Sequence, residues 1–207
     1  MTAGNSSAKE EIRALHRAAR AAMDNADREA AGAGIARHGL DWAEQLSPGT
    51  PSTFCVYLGV GFEPPTGPLI NALHGRGHRI LLPVCELRRG LSWVFWVPGG
   101  ELIRSQFAPI LEPAGTRHGL DVMAGVSALF LPATALDRNG NRIGQGGGYY
   151  DVFLAALDGV RPGLPSAAIV YDQEVLPAGS IPAEDFDRKV PDALTPSGLV
   201  HLGPERA

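Results

Sequence analysis

Beyond Pro51 the chain is a series of short apolar runs, residues 53–58, 79–84, 91–97, 127–131 and 166–171, set off by glycine- and proline-bearing segments. Runs of that length suit strands covered on both faces and are too short for core helices. Between the first two lies a helix-like stretch, 67–74, with Leu69, Ile70 and Leu73 on one side; after the fourth comes 149–157, with Phe153, Leu154 and Leu157. Strands that alternate with helices pair in parallel through right-handed crossovers. The pattern predicts an α/β fold, a three-layer α/β/α arrangement around a mostly parallel, Rossmann-like sheet. The run 91–97 carries Trp93, Phe95 and Trp96 and also fits half of an antiparallel edge. At 207 residues the whole chain, 1–207, suits one domain.

Residues 7–46 are rich in Ala, Arg, Glu and Asp, with no proline before Pro48. This composition predicts an N-terminal helical arm of two helices broken near Gly32 to Gly34. In the first helix Ile12, Leu15, Ala19 and Ala22 recur as a core-facing stripe, while Lys9, Arg13, Arg17 and Arg20 share another face. Arginine supplies 16 of the 18 basic residues, so Lys9 and Lys189 are the only lysines, a choice that hints at chemistry.

The formal charge of −4 leaves no overall basic field for nucleic acid or an anionic membrane surface. No apolar run approaches the roughly 18 residues of a membrane span, and residues 1–11 are polar, so a cytoplasmic protein is expected. Cys55 and Cys85 each sit in an apolar run and read as reduced, buried thiols. The histidines show no ligand spacing, and no zinc site is expected. No pattern fixes the oligomeric state; a monomer is the working expectation.

The most informative stretch runs from Leu131 to Asp151, leaving a strand and entering a helix. Gly144, Gly146, Gly147 and Gly148 fall within five positions, so backbone N–H groups there can approach a ligand, and the helix start adds partial positive charge. Arg142 adds a fixed cationic fork. The spacing is neither a Walker A loop nor a dinucleotide fingerprint. On glycine count alone the segment equally reads as a surface turn, and Asp151 as a first-turn acid favoured by the helix dipole.

The block Arg142-Ile143-Gly144-Gln145-Gly146-Gly147-Gly148-Tyr149-Tyr150-Asp151, followed by Phe153 and Leu154, resembles the signature of the 5-formyltetrahydrofolate cyclo-ligase family, also called 5,10-methenyltetrahydrofolate synthetases. Lys9 and Arg13 resemble its N-terminal Lys-x-x-x-Arg, and Tyr57-Leu58 through Glu63, Thr66 and Pro68-Leu69-Ile70 its second block. Glu112-Pro113, Asp172-Gln173 and the segment from Asp187 to Thr195 follow in family order, so the resemblance spans nearly the whole chain.

The resemblance implies an ATP- and Mg²⁺-dependent ligase. It phosphorylates the formyl oxygen of 5-formyltetrahydrofolate, N10 of the same substrate attacks, and loss of phosphate leaves the methenyl bridge. Carried onto this sequence, Lys9, Arg13, Arg142, Gly144, Gly146, Gly147 and Gly148 would hold ATP, and Asp151 would meet Mg²⁺. Glu63, Tyr149 and Tyr150 would bind the reduced folate, with Arg142 and Tyr150 acting in catalysis. Read without the resemblance, Lys9 and Arg13 are a solvated helix face, Glu63 an idle loop acid, and the tyrosines packing.

The sequence departs from the family's pattern in the turn Gly61-Phe62-Glu63-Pro64-Pro65-Thr66, at Gln145, where Tyr or Arg is usual, at Leu136-Asp137, and at Phe186, where His is usual. The competing expectation is a divergent member that binds nucleotide or folate without turnover, or acts on another formamide-bearing heterocycle. A generic phosphate site for a sugar phosphate or coenzyme A is the third.

Overall fold

The computed structural model describes residues 3–184 and 187–203. In chain order its elements are α1 (Ala3–Ala22), α2 (Asn25–Leu46), β1 (Thr53–Cys55), α3 (Gly67–Gly75), β2 (Arg79–Cys85), β3 (Leu91–Phe95), β4 (Leu102–Arg104), β5 (Leu111–Pro113), β6 (Val126–Pro132), β7 (Ala135–Asp137), β8 (Arg142–Ile143), α4 (Tyr149–Leu157), β9 (Ser166–Ile169), β10 (Val175–Leu176), β11 (Asp192–Thr195) and β12 (Gly198–His201). The main sheet has the order β12-β11-β9-β6-β1-β2-β3. Its inner strands run parallel, whereas β3 and β12 close the two edges antiparallel. The aromatic run around Trp93 is therefore the antiparallel edge.

Side chains alternate across this sheet as the two-residue strand period demands. Phe54, Ile80, Leu82, Phe130, Ile169 and Leu194 pack with Ile35 and Trp42 of α2 and Leu69 and Leu73 of α3. Cys55, Leu81, Leu129, Leu131, Ala168 and Ala193 pack on the other face with Phe153 and Leu157 of α4 and with Met123. Both faces are covered, which explains why the strands read as unbroken apolar runs. Each fully buried aliphatic or aromatic side chain contributes about 1.5–3 kcal/mol relative to exposure.

Two expectations about the N-terminal arm are corrected. The helix break falls at Met23 and Asp24, where the Asp24 carboxylate accepts from the Asp27 N–H at 2.7 Å and caps α2. Helix α2 then runs unbroken through Gly32 and Gly34. A Cβ on Gly34 would lie 2.3 Å from the Pro196 carbonyl oxygen, so glycine serves close packing there rather than a break.

The amphipathic reading of α1 is also corrected in part. Leu15 is 66% exposed, whereas His16 and Arg20 are buried. His16 and Arg20 meet a polar surface, so this end of the cationic face points inward and Leu15 outward, while Ile12 packs against Ala135, Ile143 and Ile181 as the stripe predicts and Arg17 stays exposed.

Three small features lie outside the expected strands: the β4–β5 hairpin, the β10-β7-β8 sheet, and the β11–β12 hairpin.

Candidate active site

The carboxyl ends of β1, β2 and β6 open onto a cleft of about 1170 Å³, whose floor includes Tyr57, Pro83, Cys85, Pro132 and Ala133. Clefts for one drug-sized molecule are roughly 300–1,000 Å³, so this one has room for two ligands side by side. All residues singled out from the sequence line it: Lys9, Arg13, Glu63, Arg142, Gly144, Gly146, Gly147, Gly148, Tyr149, Tyr150 and Asp151. Lys9, Arg13, Arg17, Arg20, Arg89 and Arg142 face Glu63, Asp151, Glu184 and Asp187 across it, giving a local excess of positive charge in an acidic chain.

One wall is the glycine loop between β8 and α4. The short β7–β8 hairpin that delivers it is tied by Asp137, a fully buried carboxylate. Asp137 accepts from the N–H groups of Asn139 and Asn141 at 3.0 Å, from Asn141 Nδ2 at 3.0 Å, and from the Gly179 and Ile181 N–H groups at 3.2 and 3.3 Å. Gly146 and Gly148 have φ of +95° and +72°, a region that side chains disfavour, and Gly148 is the N-cap of α4. Among the described residues no backbone N–H of positions 144–148 donates a hydrogen bond, so uncommitted donors lie in a loop that lines the cleft at the start of a helix.

Arg142 underlies this loop. Its Nη2 donates to Asp151 Oδ1 at 2.5 Å and its Nη1 to the Pro132 carbonyl at 3.3 Å. Arg142 is buried, whereas the Asp151 side chain is 35% exposed and its second oxygen has no hydrogen bond among the described residues.

Helix α1 closes the other side. Arg13 Nε donates to the Gly144 carbonyl at 2.9 Å, and Lys9 Nζ lies 2.6 Å from Asp187 Oδ2 and 3.6 Å from Glu184 Oε2. Deeper in, Arg20 Nε and Nη2 donate to Glu174 Oε1 and Oε2 at 2.7 and 2.8 Å, and Nη2 also reaches the Ala133 carbonyl at 2.8 Å. This pair is almost wholly buried, with side chains 2% and 0% exposed.

Glu63 stands on the third side, in a tight turn where its Oε2 accepts from the Val60 N–H at 3.1 Å. Its Oε1 accepts from Gln145 Nε2 at 3.3 Å. Burial raises the Glu63 carboxyl above its ordinary pKa; the hydrogen bonds from Val60 and Gln145 and the Arg20 charge oppose that rise. Tyr149 donates its hydroxyl to the Phe107 carbonyl at 3.2 Å, holding the segment before β5 against the cleft. Burial pushes the Tyr150 phenol well above its usual range, so it stays protonated.

Four further cleft residues were not found from sequence: Arg20, Tyr57, Arg89 and Phe107. Arg20 belonged to a visible cationic stripe whose inward aim was missed. Arg89 follows Arg88, and both have positive φ, 63° and 56°, in a turn that brings the Arg89 guanidinium beside Gly148. Nothing in their residue types marks that conformation. Phe186, a departure noted above, lies outside the described residues.

Fold and cleft together define an α/β protein that gathers cations and free backbone donors at the carboxyl edge of a parallel sheet, the arrangement of an enzyme that handles anionic ligands. Residues 5–196 match the 5-formyltetrahydrofolate cyclo-ligase family, and the chain belongs to that family of ligases. The 5-formyltetrahydrofolate cyclo-ligase of Mycolicibacterium smegmatis is 33% identical over 156 residues, covering 72% of this chain and 77% of that protein. The 5-formyltetrahydrofolate cyclo-ligase of Escherichia coli K12 is 29% identical over 147 residues, covering 70% and 78%. Among solved structures, the 5,10-methenyltetrahydrofolate synthetase of Aquifex aeolicus superposes with a TM-score of 0.71 at 21% identity, covering 96% of this chain and 95% of that one. The enzyme of the same name from Mycoplasma pneumoniae gives 0.70 at 14%, covering 91% and 98%. These two likenesses confirm the α/β fold with its mostly parallel sheet.

Proposed function

We propose that this chain converts 5-formyltetrahydrofolate to 5,10-methenyltetrahydrofolate, consuming ATP and releasing ADP and phosphate. The observation that carries the reading is the convergence, in one cleft with room for two ligands, of the phosphate-type wall (Arg13, Arg142 and the glycine loop) and the heterocycle-type wall (Glu63, Tyr149 and Tyr150).

Phosphoryl transfer needs charge neutralisation and alignment more than a protein nucleophile. Backbone donors of 144–148, with Arg13, Lys9 and Arg142, would hold the triphosphate; Glu63 would accept from the donor edge of the pterin, and Tyr149 and Tyr150 would flank it. The γ-phosphoryl group passes to the formyl oxygen, N10 attacks the activated carbon, and phosphate departs. Ring closure is intramolecular, so the protein's part is to hold one conformer out of water.

Mg²⁺ typically takes one or two carboxylates together with phosphate oxygens and water, and Asp151, partly exposed at the cleft with one oxygen uncommitted, suits that role. The ion would neutralise charge on the phosphates. No helix among the described residues is long and apolar enough to cross a membrane.

One observation favours a second reading. Gln145 already occupies one oxygen of Glu63, which alters the acceptor presented to a pterin and suits a different formamide-bearing heterocycle. The test is a spectrophotometric assay of methenyl product with 5-formyltetrahydrofolate, ATP and Mg²⁺, with ATP omitted as control. ATP-dependent product supports the first reading; no product from folded protein that ATP still stabilises favours the second.

A further inference from the structure

Four buried polar atoms on cleft-lining residues have no hydrogen-bond partner among the described residues: Tyr57 Oη, Tyr150 Oη, Arg20 Nη1 and Arg142 Nε, the last on the residue already placed under the glycine loop. Buried polar groups are nearly always satisfied, and exceptions at a cleft point to a ligand. Tyr57 is 4% exposed and sits just past the end of β1; Arg20 is 2% exposed, its other nitrogens fixed by Glu174 and Ala133. These are built positions, because Arg20 is clamped at three contacts and still leaves Nη1 uncommitted.

The chemistry of the corner is one-sided. A guanidinium only donates, and a phenol that stays protonated has a hydrogen to give. Burial holds the Tyr57 phenol well above its ordinary pKa, with Glu63 adding to the rise and Arg20 opposing it. Tyr57, Tyr150 and Arg20, which can donate, line the same cleft as an acceptor, Glu63. The complement of such a set is a polar edge with a carbonyl oxygen beside N–H groups, as in a cyclic amide.

We propose that Tyr57 Oη and Arg20 Nη1 form a carbonyl-binding corner that fixes the oxo group of the bound reduced folate while Glu63 takes its N–H edge. The inference rests on the folate reading above and adds two residues to it. The carbonyl concerned is either the ring oxygen or the formyl oxygen, and the ligand series below separates them.

The experiment compares wild type with Tyr57→Phe by calorimetric titration and thermal melting, using 5-formyltetrahydrofolate, 5-methyltetrahydrofolate and ATP. Since the hydroxyl has no partner among the described residues, the variant should melt at or above the wild-type temperature and bind ATP unchanged. Its affinity for 5-formyltetrahydrofolate should fall about tenfold, the span of one lost hydrogen bond. An equal loss for the methyl compound assigns the ring oxygen; a loss confined to the formyl compound assigns the formyl oxygen. Unchanged folate affinity in Tyr57→Phe, whether or not melting falls, overturns the corner while leaving the folate reading intact. Wild-type protein that binds ATP and neither folate overturns the folate reading and this inference with it. Arg20→Lys, which keeps the charge beside Glu174 and removes Nη1, should reproduce the loss; full affinity there removes Arg20 from the corner.

Discussion

Gln145 Nε2 donates to Glu63 Oε1 across the mouth of the cleft, joining the glycine loop to a turn 82 residues away at 3.3 Å. The two residues belong to two of the four places where the sequence departs from the family's usual pattern, so these two departures meet in space. The contact supports the ionised form of a carboxyl that burial pushes toward the neutral one. Gln145→Ala should therefore raise the Glu63 pKa further. The expected outcome is a folate KM that climbs at a higher pH than in wild type as the medium is acidified, measured as KM against pH.

The same shift has a sign for stability. A carboxyl whose folded pKa is raised adds its stability below the unfolded pKa, near the ordinary 4.5, and loses it as pH rises through the folded value. At neutral pH the ionised Glu63 thus weighs against folding. Glu63→Gln should melt higher than wild type at pH 7, by about 2–4 °C for each kcal/mol relieved in a chain of this size. That advantage should vanish at acid pH while folate affinity drops throughout. A melting series across pH, paired with titrations, checks both halves.

The buried Arg20–Glu174 pair pins α1 over the cleft. Removing one partner leaves a buried charge uncompensated, which costs about 3–5 kcal/mol. Glu174→Ala should lose that much in denaturant unfolding, and nucleotide affinity should fall with it because Arg13 and Lys9 ride on the same helix. Glu174→Gln keeps one acceptor oxygen and should fall between.

How far the sequence foretold this site depends on which force placed each residue. The strands announced themselves because both sheet faces are covered, so Phe54, Leu81 and Leu129 sit in unbroken apolar runs. Strand β11 went unseen because Ala193 and Leu194 are its only apolar members between Pro191 and Pro196, too few to set a period. Helix α1 was misread in part for a related reason: periodicity reports two faces, and the usual rule assigns the apolar one to the core, which holds for Ile12 and fails for Leu15. Here His16 and Arg20 meet Glu174 and backbone carbonyls, a polar surface invisible in local sequence. Tyr57 and Phe107 gave no signal, since an aromatic in a loop or strand end looks the same whether it packs or binds.

Cys85 lines the cleft, yet burial and the neighbouring Glu112 carboxylate push its thiol up to about 12. A thiol so rarely ionised near neutrality is a poor nucleophile. Incubation with iodoacetamide at pH 7.5, a ~neutral condition in this sense, should leave turnover intact. Rapid inactivation, traced to Cys85 by peptide mass mapping, would contradict the protonated thiol.

Among the described residues Asp151 is the one carboxylate bonded to Arg142, and under the proposed reaction it also meets the metal that accompanies the nucleotide. Asp151→Asn keeps size and a hydrogen-bond acceptor for Arg142 but removes the charge. Turnover should fall about 100-fold or more, the scale of losing one well-placed electrostatic contact, and the Mg²⁺ concentration giving half-maximal rate should rise. Melting temperature should fall too, by less than for Glu174→Ala, because Arg142 is buried and loses a charged partner that is itself partly exposed. A Mg²⁺ titration at fixed ATP separates this from a general loss of activity.

The turn carrying Arg88 and Arg89 stores strain, since two consecutive non-glycine residues with positive φ cost about 1–3 kcal/mol each when held there. That cost places the Arg89 guanidinium against Gly148, where a Cβ would come within 3.3 Å of Nη1. Gly148 itself sits at φ +72°, so Gly148→Ala faces both a backbone penalty of about 1–2 kcal/mol and a crowded cation. It should lose stability by that amount and weaken ATP binding. Arg89→Gly relieves the strain and removes the charge, so it should gain stability while ATP affinity drops and becomes less sensitive to salt. Opposite signs in melting with the same sign in binding would show that the protein holds Arg89 in place for its ligand rather than for its fold.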